Sequence, residues 1–122
     1  MDLVQITPEY YEFVRVLRTH PETQSGFLVS ATITPEDQRA YMEKHSLNYY
    51  VCLLYGSPAG YIGVVDGDIR FCTDPDLQGM GVGSFMLSKI KKLYPEATGR
   101  ILKDNIGSQK AFDKCGIKYT IL

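Results

Sequence analysis

Gly79, Gly81 and Gly83 fall at every second position within Asp74-Pro75-Asp76-Leu77-Gln78-Gly79-Met80-Gly81-Val82-Gly83-Ser84. Glycine reaches positive φ without strain and has no Cβ to block an approaching group. Successive backbone N–H groups can therefore turn toward one anion, at the positive end of a helix that follows. A strand expected over residues 69–73 delivers the chain to this run. A helix should leave it, with Val82, Met86, Ile90 and Leu93 at helical spacing and Lys89, Lys91 and Lys92 on the other face. Tyr94-Pro95 should stop that helix, because proline removes a donor and clashes with the preceding turn. The chemistry on offer is the capture of a phosphate-like anion by main-chain amides. The plain alternative is a glycine-rich turn that holds nothing.

The spacing narrows the choice of anion. A P-loop requires Gly-Lys-Ser/Thr, and here Gly83 is followed directly by Ser84. The dinucleotide fingerprint is G-x-G-x-x-G, whereas this run is G-x-G-x-G with no long parallel βαβ series around it. Gln78, Gly81 and Gly83 instead match Gln/Arg-x-x-Gly-x-Gly/Ala, which resembles the pyrophosphate loop of the GNAT superfamily of N-acetyltransferases. A later segment, Asn105-Ile106-Gly107-Ser108 followed by Phe112, Lys114, Gly116 and Ile117, is similar to the family's Asn-led short helix that ends in Gly and an apolar residue.

The resemblance implies acetyl-CoA as cosubstrate and an amine as acceptor. The amides of Gln78, Gly79, Met80, Gly81, Val82, Gly83 and Ser84 would hold the pyrophosphate. The edge of the 69–73 strand would pair with the pantetheine arm. A backbone N–H at Cys72 or Thr73 would polarise the thioester carbonyl and stabilise the oxyanion. Asn105 would hydrogen-bond the arm from the far side, with Ser108 also among the cofactor-binding positions. Either role of Asn105, ligand or helix cap, is open to it. The Gln78 side chain is expected only to stabilise the loop.

Acid and base are less sharply marked. An ammonium must lose a proton before it can attack, directly to a base or through water. Asp68 stands near where some family members carry an acidic base, and Asp66-Gly67-Asp68 is equally a good hairpin turn. His20 and Glu22, in the first loop, are further candidates for lining the acceptor pocket. Many family members carry a tyrosine seven residues after the Asn as general acid; this chain has Phe112 there, which otherwise reads as core. Tyr119 could protonate the departing sulfur, or the thiolate could leave unassisted, as a thiol of pKa about 8.5 can. Cys52, Cys72 and Cys115 have no His or Lys nearby in sequence to activate them, so direct transfer in a ternary complex is expected.

The expected activity is acetyl-CoA-dependent N-acetylation of a primary amine, and the alternative is a catalytically idle CoA or acyl-CoA sensor or scaffold. The segments Arg18-Thr19-His20-Pro21-Glu22-Thr23 and Ile33-Thr34-Pro35-Glu36 are loosely similar to acetyltransferases of nucleotide-linked amino sugars and of protein N-termini. The acceptor classes are thus a small-molecule amine, an amino sugar or a peptide N-terminus.

Positioning these groups falls to a chain of 122 residues, expected to form one domain over residues 1–122. With 13 basic and 14 acidic residues, bulk charge gives no support for nucleic-acid binding. Residues 1–83 carry 5 basic and 11 acidic groups, and residues 84–122 carry 8 and 3. An acidic first half suits a cationic amine and a basic second half a polyanionic cofactor, although charge runs are often only solvated faces. Three cysteines without C-x-x-C spacing point to thiols in a reducing, cytoplasmic compartment, and no His has ligand spacing for a metal. No apolar run is long enough for a membrane span.

The elements read as strand 2–6, a helix opened by Thr7-Pro8-Glu9, a loop from His20 to about Gly26, and a helix from Thr34-Pro35 to about His45. Strands over 49–55 and 59–65 should turn at Gly56-Ser57-Pro58. After the glycine loop and its helix come strand 98–102, a helix over 108–114 ended by Gly116 in the αL conformation, and a last strand over 117–122. The order β-α-α-β-β-β-α-β-α-β is the GNAT order. It implies an α/β fold, a mixed sheet splayed between the strand before the loop and the strand after the central helix, flanked by about four helices. Only six residues follow Gly116, so the family's usual final strand would be missing or supplied by a neighbour, and a homodimer is the corresponding expectation.

Overall fold

The computed structural model describes residues 1–20 and 33–122. Its strands are β1 (Asp2–Gln5), β2 (Tyr49–Leu54), β3 (Ser57–Val65), β4 (Asp68–Thr73), β5 (Gly99–Ile101) and β6 (Tyr119–Ile121). Its helices, among the described residues, are α1 (Tyr11–Thr19), α2 (Pro35–His45), α3 (Val82–Leu93) and α4 (Ile106–Cys115). The expected element order, mixed sheet and four flanking helices are all present.

Local chemistry explains most boundaries. Thr34 caps α2 by accepting from the Asp37 N–H at 3.1 Å, with Pro35 at the first position. Thr7-Pro8 opens a 3-10 turn (Pro8–Tyr10) instead of α1 itself, and the Thr7 hydroxyl turns to Glu9 rather than capping a backbone amide. The hairpin turn between β2 and β3 is Tyr55-Gly56, with φ of 52° and 79°, one residue earlier than the sequence suggests. Two consecutive residues at positive φ give the two-residue turn whose twist matches paired strands. Ser57 and Pro58 then belong to β3, and Pro58 is tolerated beside a register shift at Cys52/Leu53. Asp66-Gly67 repeats the same turn between β3 and β4, with φ of 54° and 77°. Gly116, at φ 69°, ends α4 as expected.

β1 to β4 form an antiparallel sheet in sequence order, while β5 and β6 pair in parallel as a separate sheet. The two sheets meet where Asp68 bridges Thr98. There the Ile69 N–H donates to the Thr98 carbonyl at 2.8 Å, and the Thr98 N–H to the Gly67 carbonyl at 3.0 Å. Beyond Ile69 the strands part, and among the described residues no strand pairs with the rest of β4 on that side.

Each face of the larger sheet has its own apolar core. Ile62, Ile69, Val82, Met86, Leu87, Ile90 and Phe112 fill the face under α3 and α4. Val14, Leu17, Met42, Tyr49, Val51 and Tyr61 fill the face under α1 and α2. In α3 the buried stripe takes Leu87 in place of the expected Leu93, which is 54% exposed. Among the described residues no helix is long and apolar enough to cross a membrane.

Candidate active site

Hydrogen-bond directions along β4 are fixed by its two ends. Ile69 donates away from β3, to Thr98, whereas Asp74 donates toward β3, to Ala59, at 2.8 Å. The register between β3 and β4 runs without a slip from Gly60↔Thr73 to Val65↔Asp68. Alternation then turns the N–H and C=O of Phe71 and Thr73 into the gap, and those of Arg70 and Cys72 toward β3. Of the two amides expected to meet the thioester, Thr73 faces the gap and Cys72 does not. Phe71, passed over in the sequence reading, joins Thr73. Only the pairing register reveals this, so residue types alone gave no signal for it.

The glycine loop completes the gap at its upper end. Asp74 accepts from the Asp76 N–H at 3.0 Å and shapes the short turn Pro75–Leu77. Gly79 and Gly81 both take φ of 82°, and Gly81 is the N-cap of α3 with no side chain capping that end. The N–H groups of Val82, Gly83 and Ser84 therefore have no intrahelical acceptor and carry the positive end of the helix dipole. Gly83 is not at positive φ, contrary to expectation; it lies within the first turn of α3. A Cβ there would stand 3.5 Å from the Phe71 ring and 3.6 Å from the Thr73 hydroxyl. Gln78 and Met80 are exposed. Of the α3 lysines, Lys91 is used elsewhere: its Nζ donates to the carbonyls of Cys115 and Gly116, both at 3.1 Å, and ties α3 to the end of α4.

Across the gap, Asn105 caps α4, its Oδ1 accepting from the Ser108 N–H at 3.3 Å. Phe112 is 1% exposed. Its ring lies between those of Phe71 (5.8 Å) and Tyr119 (5.6 Å), directly under Gly99, where any Cβ would overlap it. Phe112 is core, as expected. The Tyr119 hydroxyl donates to Asp113 at 3.0 Å, and this hydrogen bond, with some desolvation, raises its pKa above that of an ordinary phenol. That makes it a weaker acid toward a leaving thiolate.

Asp68 accepts from Arg100 at 3.2 and 3.0 Å and lies 3.5 Å from the Arg70 Nε. Along an extended strand it is about 10 Å from Phe71 and about 17 Å from Thr73. His20 closes α1, its N–H reaching the Leu17 carbonyl at 3.4 Å. Glu22 lies outside the described residues. None of the three cysteines is in a disulfide, and no group of His, Cys, Asp or Glu among the described residues could hold a metal ion. Two shallow cavities, of about 400 and 580 Å³, lie away from the gap, beside Asp66–Gly67 and between β1 and α3.

Residues 9–117 match the model of the acetyltransferase (GNAT) family. No curated protein matches the sequence. Among solved structures, the ribosomal-protein-alanine N-acetyltransferase from Brucella melitensis superposes with a TM-score of 0.82 at 12% identity, over 95% of this chain and 83% of that one. The spermidine N-acetyltransferase from Vibrio cholerae, in complex with CoA and spermine, gives 0.80 at 11% identity, over 94% and 79%. The aminoglycoside acetyltransferase AAC(6')-Ib in complex with coenzyme A gives 0.73 at 19% identity, over 93% and 82%.

Proposed function

The chain belongs to the acetyltransferase (GNAT) family, and on that premise we propose that it transfers the acetyl group of acetyl-CoA directly to a primary amine. The observation that carries this reading is the gap itself, a strand edge whose Phe71 and Thr73 amide N–H groups have no backbone partner among the described residues, running up to a helix N-terminus that no side chain caps. An extended, amide-bearing arm ending in a pyrophosphate fits both parts at once. Solved structures of the same fold contain CoA, which supports the same cosubstrate here.

In this reading the amides of residues 78–84 hold the pyrophosphate, and the pantetheine arm lies against β4 as an added strand. The N–H of Phe71 or Thr73 donates to the thioester oxygen and stabilises the oxyanion as it forms. The amine lone pair attacks the carbonyl carbon and a C–N bond forms; the nitrogen then gives up its second proton to water as the C–S bond breaks and CoA departs as the thiolate. Asp68 takes the ammonium proton through intervening water when the thioester sits at the Phe71 end. With Phe112 apolar and Tyr119 bonded to Asp113, the thiolate leaves without a tyrosine acid and takes up its proton afterwards. Cys72 is a bystander: its buried thiol donates to the neighbouring Thr73 carbonyl at 3.6 Å. The second reading, an idle CoA-binding module, draws on that same lack of an acid.

Acetyl-CoA at a hundred times its dissociation constant should stabilise the fold by about 2.7 kcal/mol. In a domain of this size that is a rise in melting temperature of roughly 10 °C, with ATP and NAD far weaker. A flat response to saturating acetyl-CoA refutes both readings. A rise without thiol release in the presence of amines selects the idle module.

A further inference from the structure

The face of β4 under α1 and α2 carries a cluster that the cofactor does not use. Side chains alternate along a strand, so Asp68, Arg70 and Cys72 share this face. Arg70 donates to the Tyr41 hydroxyl at 3.1 Å, and the Tyr41 and Tyr49 hydroxyls are 2.7 Å apart. The Arg18 guanidinium stands over the Tyr41 ring, 5.7 Å from its centre. Arg100 reaches Asp68 from β5. Arg70 and Arg100 thus share the Asp68 carboxylate, and Arg18 and Arg70 meet the same tyrosine, Tyr41. Burial first, then the Tyr41 hydrogen bond, raises the Tyr49 phenol well above its ordinary range. Burial does the same to Tyr61. These phenols stay neutral at physiological pH and cancel none of the positive charge.

A second observation comes from α2. Gln38 lies three residues before Tyr41 and four before the fully buried Met42, which places the three along one side of the helix. It is 1% exposed, and neither its amide nitrogen nor its amide oxygen has a hydrogen-bond partner among the described residues. A buried amide left without partners is costly, so the site is built for a polar group it does not hold by itself. The opposite face of the gap is closed by Phe71, Phe112 and Tyr119, so an acceptor must approach the thioester from the arginine side.

We propose that this face is the acceptor subsite and that it selects amines bearing an anionic group, a carboxylate or a phosphate monoester, bound by Arg18 and Arg70 with Gln38 hydrogen-bonding the acceptor's polar substituents. The proposal deepens the acetyltransferase reading and rests on it. A planar guanidinium matches either oxyanion with paired hydrogen bonds, and Arg18, stacked on Tyr41, has no carboxylate within ion-pair distance among the described residues.

Matched acceptors test this by release of free CoA thiol: glucosamine against glucosamine 6-phosphate, an α-amino acid against its amide, and spermidine as a cationic amine. The anionic member of at least one pair should be preferred tenfold or more in kcat/KM, and which pair responds tells phosphate from carboxylate. Arg18→Gln and Arg70→Gln should each cut that preference at least fivefold by raising KM for the anionic member, while acetyl-CoA still raises the melting temperature. Preference for spermidine or for the neutral members overturns the proposal, as does a preference that survives both variants. If no amine is turned over, the anionic amines are titrated into the acetyl-CoA complex. Binding that both variants weaken keeps the subsite and removes the transferase reading, and absence of binding removes both.

Discussion

Gly81 and Gly83 look equivalent in the sequence and serve different ends in the fold. Gly81 holds φ of 82° with open space around it, so its demand is conformational. Alanine there should cost about 1–2 kcal/mol of stability and distort the loop. Gly83 has ordinary helical geometry, and an added methyl would make only normal contacts with Phe71 and Thr73. Gly83→Ala should therefore fold as well as the parent or gain about 0.5–1 kcal/mol, since alanine is the better helix former. Its CoA affinity should change less than about threefold, because the pattern this loop matches admits alanine at that position, whereas Gly83→Val, with two further methyls beside Phe71 and Thr73, should lose at least tenfold. Urea unfolding beside calorimetric titration of these variants separates the two roles. A Gly83→Val protein that binds CoA normally would place the pyrophosphate elsewhere. The loop was legible because alternate glycines have few other uses. Arg18, Arg70 and Gln38 were not, because what they face depends on which helix packs over which strand.

Among the elements, β4 decides most. Its two ends, bonded in opposite directions, determine which amides stay open, and this gives a residue-by-residue expectation for hydrogen exchange. In the free protein the Phe71 and Thr73 amides should exchange quickly, while those of Arg70 and Cys72 are protected by β3. Saturating acetyl-CoA should slow Phe71 and Thr73 by at least an order of magnitude and change Arg70 and Cys72 far less. Protection appearing at Arg70 and Cys72 instead would mean that the register, and the site built on it, is misassigned. Element order and the splay were readable from turn chemistry and apolar periodicity. The β2–β3 turn was misplaced because Gly56-Ser57-Pro58 has the composition of a turn, although Tyr55-Gly56 makes it. Pro58 was free to enter the strand only because the ladder shifts beside it, and such a shift leaves no mark in residue types.

Over the whole molecule, the division of charge along the chain is not kept as a division in space. Arg18 and Arg70 come from the acidic half and meet at Tyr41, on the face proposed for the acceptor, while Lys91 of the basic half is spent closing α4. The sheet divides the molecule by faces, so a net charge counted along the chain misses the local one. The open interior of β4 also bears on how the protein survives when acetyl-CoA is scarce. An unpaired central strand is a template for any extended peptide, including the same strand of another copy. On the proposed reading, acetyl-CoA would then be this protein's chaperone as well as its substrate. Protein stripped of CoA and held at 37 °C should scatter light several-fold more than the same protein reloaded, and equal scattering would show the edge to be harmless. If the difference holds, starving the cell of the cofactor removes the enzyme itself, by aggregation and proteolysis, as well as slowing it.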